Sequence, residues 1–166
     1  MKTKLYMYIP EIGERLTLEE DWNFVLFKER RNYGFFKKFG YDLLPHYAVS
    51  SDKHQKQLIP VKTHKKIYSI LETVPRVNDY NVYMKNILSK IQEELPNLED
   101  EMIPELSICL PKGTVIIPDR IYIKKGLSDY SSITFRVESH PEIKRFKGRF
   151  WVHLKDVNNI CCSVDV

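Results

Sequence analysis

Val115-Ile-Ile-Pro-Asp-Arg-Ile-Tyr-Ile123, then Ser132-Ile-Thr-Phe-Arg-Val137 and Arg149-Phe-Trp-Val-His-Leu154, are the runs that decide the fold. From Asp119 onward they alternate polar and apolar side chains, and Gly, Ser, Asp or Pro residues bound them. That pattern belongs to antiparallel strands with one covered face. Ile108-Cys-Leu110 before them and Ile160-Cys-Cys162 after them add two shorter strands. Five short strands joined by turns predict a small antiparallel barrel over residues 105–166.

Period two also divides the faces. Ile121, Ile123, Ile133, Phe135, Val137, Phe150, Val152 and Leu154 are expected inside. Arg120, Tyr122, Lys124, Thr134, Arg136, Arg149, Trp151 and His153 fall on the other face. Cations interleaved with aromatic rings suit a single-stranded nucleic acid, since cations track phosphates while rings stack on bases. The plainer alternative is an ordinary solvated strand face, with Trp151 packed against the N-terminal part. The loop from Ser139 to Gly148 adds Lys144, Arg145 and Lys147 nearby.

Working back along the chain, Tyr80, Tyr83, Met84, Ile87, Leu88, Ile91 and Leu95 recur every three or four residues. They predict a long amphipathic helix, capped by Asn78 or Asp79 and ended by Pro96. Acidic residues from Glu93 to Glu105 then read as a solvated linker. The expected class is therefore α+β, with a mixed lobe over residues 1–104 and the β module over 105–166; one continuous domain is the alternative. Residues 45–66 read as a polar connection, and Lys65 to Val74 as a helix or strand. Residues 1–10 read as a short strand, and Trp22 to Phe27 as a strand buried on both faces. Glu29 to Phe39 mixes rings with Arg30, Arg31, Lys37 and Lys38, a second candidate contact surface.

Composition bounds the function more than it names it. The chain has 166 residues, 43% of them hydrophobic and 12% aromatic, enough for a packed core. A formal charge of +4 permits nucleic acid or acidic proteins as partners without demanding either. No apolar run reaches the length of a signal peptide core or a membrane span, so no membrane role and a cytoplasmic location are expected. Cys109, Cys161 and Cys162 are an odd number without a CxxC pair, which suits reduced thiols. A zinc site from His153, Cys161 and Cys162 matches no structural spacing.

Chemistry-bearing motifs are missing from the sequence. Six scattered glycines supply neither GxGxxG nor a Walker loop, and no HExxH or nucleophile elbow occurs. The strongest catalytic pairing is His153 with Asp156 or Asp119. The reading leans away from an enzyme, and no cofactor is expected.

Two resemblances add expectations. The turn Lys112-Gly-Thr and the late run Phe150-Trp-Val-His-Leu-Lys-Asp-Val-Asn-Asn-Ile160 resemble the order of parts in an SH3-like barrel. Trp22 to Asn32, Gly113 to Val137 and Arg149 to Ile160 look like segments of small uncharacterised bacteriophage proteins. The second resemblance implies an accessory protein of the host cytoplasm. Such a protein would bind a bacterial defence or nucleic-acid-processing factor stoichiometrically, as an anti-defence (anti-CRISPR-type) inhibitor. Direct binding of single-stranded nucleic acid is the alternative, and a metal- or His-dependent nucleotide-processing enzyme the weaker one. The oligomeric state is left open.

Overall fold

The computed structural model describes residues 10–49, 57–123 and 131–164; the expected N-terminal strand lies almost wholly outside them, as do Lys124 and the loop after it. The described residues form strands β1 (Leu16–Leu18), β2 (Trp22–Leu26), β3 (Tyr41–Leu43), β4 (Leu58–Pro60), β5 (Leu106–Leu110), β6 (Val115–Tyr122), β7 (Ser132–Ser139), β8 (Gly148–His153) and β9 (Cys162–Val164). The helices are α1 (Tyr33–Lys38), α2 (Val61–Thr73), α3 (Tyr80–Glu94) and α4 (Leu154–Val157). The fold is mixed α+β, built on antiparallel sheets.

The chain forms two compact units, one from residues up to Phe35 together with Ser107 onward, the other Phe36–Leu106. This differs from the expected division at 104/105, because the early strands complete the late sheet. β1 pairs with both β6 and β9, and β2 pairs with β5.

In the first unit the main sheet runs β8-β7-β6-β1-β9. β8 and β9 are its edges, and among the described residues no pairing joins them. The expected closed, SH3-like barrel is thus replaced by an open sheet. Its inner face carries Ile133, Phe135, Val137, Phe150 and Val152, all buried. Trp22 and Phe24 of β2 and Phe35 of α1 lie against this face. Phe35 stacks on Phe150 at 4.6 Å and Phe24 stacks on it at 5.3 Å, while Trp22 meets Phe135 edge-on at 5.7 Å. β2 alternates, with Trp22, Phe24 and Leu26 buried and Asn23 and Val25 exposed, so it is not covered on both sides as expected. Ile123, assigned to the barrel interior, is 62% exposed, because an open sheet gives it no facing wall.

Two local devices shape the last strands. Pro118 faces Phe135 while Arg120 faces Thr134, so Asp119 is an extra residue in a β-bulge. Gly148 opens β8 because a Cβ there would stand 2.8 Å from the Phe35 ring. Only glycine leaves room for that ring at its stacking distance.

The second unit packs α2 and α3 with the β3–β4 ladder around Ile59, Ile67, Ile70, Ile87, Ile91 and Leu98. Asp79 caps α3 as expected, its carboxylate accepting from the Asn81 and Val82 N–H groups at 2.9 and 3.2 Å. Tyr80, counted in the apolar stripe, is 67% exposed. The stretch read as a polar connection instead contains β4 and the start of α2, where the Thr63 hydroxyl donates to Glu101.

His64 on α2 gives this unit an acid sensitivity. Burial lowers its pKa below the ordinary 6.5, outweighing the Asp42 carboxylate 3.7 Å away, and Lys37 acts in the same direction as burial. The folded state therefore favours neutral imidazole, and the unfolded chain binds more protons below the ordinary value. His64 contributes stability above about pH 6.5 that is lost as pH falls through the lower folded value. Urea midpoints for the protein and for His64→Asn should differ more at pH 7.5 than at pH 5. An equal difference at both values would contradict this.

Candidate binding face

The outer face of β6, β7 and β8 is set by register. Tyr122 lies opposite Ser132, which lies opposite His153; Arg120, Thr134 and Trp151 form the next row. Ile117, Arg136 and Arg149 form the third. Arg120, Arg136 and Arg149 are exposed, and Tyr122 is 55% exposed. Arg136 and Arg149 face each other directly, an arrangement that costs stability through like-charge repulsion. The bulged Asp119 offsets part of it, its carboxylate 3.3 Å from Arg149 Nε.

Trp151 departs from its neighbours. It is 4% exposed, covered by the segment that follows β2. The Phe27 ring lies 5.1 Å from Trp151 and 5.1 Å, edge-on, from His153. The Arg31 guanidinium sits 4.4 Å over the Trp151 ring, a cation–π contact, and Arg31 Nη2 donates to Glu29 Oε2 at 2.9 Å. Asn32, fully buried, fixes the segment to β8. The Trp151 N–H donates to Asn32 Oδ1 at 2.8 Å; Asn32 Nδ2 donates to the Trp151 and Phe27 carbonyls at 3.1 and 2.9 Å. A side-chain amide thus takes the place of the next strand on the sheet edge.

Two adjoining hollows result. One, of about 260 Å³, is lined by Phe27, Glu29, Arg31, Tyr122, Trp151 and His153 among others. The second, of about 210 Å³, shares Arg31 and Trp151 and reaches Asp119, Arg120 and Arg149. Among the described residues, Trp151 Nε1 and His153 Nδ1 are buried and find no hydrogen-bond partner. Such a group costs about 1–3 kcal/mol, so each is a place where a ligand atom would be stabilised. Trp22 Nε1 is also unpaired, but Trp22 lines neither hollow.

The structure gathers Arg120, Tyr122, Arg149, Trp151, His153 and Arg31 into one site, with Arg136 beside Arg149 on the same face. Arg30 is exposed in the 3-10 turn before α1. Lys37 and Lys38 belong to the second unit, where Lys37 pairs with Asp42 at 3.3 Å. The sequence reading missed Phe27, Glu29 and Asn32 as partners of Trp151, since a contact between residues 119 apart leaves no local pattern. Asp119 pairs with Arg149, and among the described residues no carboxylate forms an ion pair with His153.

Among the described residues no three His, Cys, Asp or Glu side chains gather where they could hold a metal ion. Burial raises the Cys109 and Cys162 thiols, which keeps them protonated. No helix among the described residues is long and apolar enough to cross a membrane. Comparison with family models, curated proteins and solved structures gives no match.

Proposed function

We propose that this chain is a non-catalytic binding protein that holds a single-stranded nucleic acid on the outer face of β6, β7 and β8. The observation that supports this reading is the Arg136–Arg149 pair in direct register, with Arg120 in the next row and exposed Tyr122 beyond it. A polyanion relieves the repulsion between those arginines, and an exposed ring offers a base its stacking surface. The test is the affinity of a labelled mixed-sequence single-stranded oligonucleotide at two salt concentrations. If three phosphates are contacted, affinity should fall about 20-fold between 50 and 200 mM salt. Replacing Arg120 and Arg136 by Gln should reduce that dependence to a few-fold. An affinity that stays flat with salt would count against the proposal.

A second reading is stoichiometric binding to a bacterial defence or nucleic-acid-processing factor, as a phage accessory protein acting inside the host cell. Two features favour it. Arg31 and Arg149 already hold carboxylates, Glu29 and Asp119, which weakens their attraction for phosphate. The mix of Arg, Tyr and Trp is also that of protein-interface hot spots. Under this reading Arg149→Ala with Tyr122→Ala removes binding to that factor and leaves the fold intact, as both side chains are mostly exposed. Truncating Trp151 to Ala is unsuited to such a test because its ring is buried.

A further inference from the structure

We infer that the hollow beside Trp151 is a pocket for one unpaired nucleobase; this deepens the nucleic-acid reading and rests on it. Size comes first. At about 260 Å³ the hollow is below the usual 300–1,000 Å³ of small-molecule sites, so it takes one ring system and not a dinucleotide. Its lining is aromatic, with Phe27 and Tyr122 each about half exposed and thus able to offer a ring face. Trp151, more than nine-tenths buried, contributes an indole N–H with no partner, and His153 contributes an unpaired Nδ1.

Those two groups define the ligand's edge. An indole N–H can only donate, whereas imidazole Nδ1 accepts or donates according to tautomer. A base edge carries donors and acceptors side by side, and unpaired bases are read in this way, stacked on rings and hydrogen-bonded on their edges. An aliphatic or phenyl side chain would leave both nitrogens unsatisfied. Both are covered in the free protein, so binding requires a cover to shift. Phe27 is the neighbour that can yield, because its ring centroid is 5.1 Å from both the Trp151 and the His153 rings yet the residue is 49% exposed. Arg120 and Arg149 line the adjoining hollow, within which the flanking phosphates would lie.

Fluorescence anisotropy with two labelled probes of equal length tests this: a single-stranded oligonucleotide, and the same backbone with abasic sites throughout. The base-bearing probe should bind at least 10-fold more tightly. Tyr122→Ala, and separately Trp151→Phe, which keeps a ring and removes the N–H, should narrow that ratio below 3-fold. Affinity for the abasic probe should stay unchanged in both. Equal binding of the two probes, with normal salt dependence, would overturn the pocket and leave the nucleic-acid face standing. A ratio that persists in both variants would overturn it as well. Failure of both probes to bind at low salt would overturn both readings. Binding of an acidic Tyr-containing peptide in that case would assign the hollow to a protein side chain.

Discussion

Asn32→Asp is expected to destabilise the first unit by about 3–5 kcal/mol, the usual cost of an uncompensated buried charge. Asn32 is fully buried, and its Nδ2 donates to two carbonyls while Oδ1 accepts from the Trp151 N–H. An aspartate keeps the acceptor but turns its second oxygen toward the Phe27 and Trp151 carbonyls. Protonation of that carboxyl restores one donor, so the deficit should shrink at acid pH. Asn32→Ala leaves the β8 edge unsatisfied without the charge and should cost about 2–3 kcal/mol. Urea unfolding followed by tryptophan fluorescence is the measurement. Losses below about 1 kcal/mol in both variants would mean that solvent can seal this edge equally well.

Phe150→Ala should cost about 3–5 kcal/mol, as large-to-small changes of a buried phenylalanine do. Four rings surround Phe150: Phe35, Phe24, Phe135 and Trp22, at 4.6, 5.3, 5.8 and 5.9 Å. Phe150→Leu retains most of the volume and should cost less than half as much. Both tryptophans, Trp22 and Trp151, belong to the first unit, whereas the long helices α2 and α3 belong to the second. Fluorescence therefore follows one unit and helical circular dichroism mainly the other. Phe150→Ala should move the fluorescence transition to lower denaturant, and any lag in the dichroism measures how independently the second unit unfolds. An unmoved fluorescence midpoint would show that the ring cluster is not the unit's core.

Much of the fold could be read because it is written locally. The α3 stripe and its Asp79 cap lie within one window, as does the alternation that placed β6, β7 and β8. Three-residue strands such as β1 and β4 are too short to carry a period, so Leu16–Leu18 drew no strand assignment and Leu58–Pro60 passed for a connection. α2 was obscured because its buried side, Thr63, Ile67 and Ile70, includes a polar residue and its other faces are rich in Lys. At the site, alternation put Arg120, Tyr122, Arg136, Arg149, Trp151 and His153 on one face. It could not show that Trp151 is roofed, since Phe27, Arg31 and Asn32 come from the far end of the chain. The bulge at Asp119 was equally silent, because an extra residue shows only against its partner strand.

The discontinuity of the first unit sets an order on folding. Leu16 pairs with Val164, β1 with β6 and β2 with β5, so among the described residues the early strands find their partners only once the late ones are made. On the ribosome the apolar side chains of β1 and β2 must therefore wait through the synthesis of Phe36–Leu106, which can pack meanwhile around its own core. Closing that long loop makes the sheet a high-contact-order step, slow beside the helical unit. The interval leaves Leu16, Leu18, Trp22, Phe24 and Leu26 open to chaperones, so the protein's yield in a cell would depend on translation speed as well as on final stability.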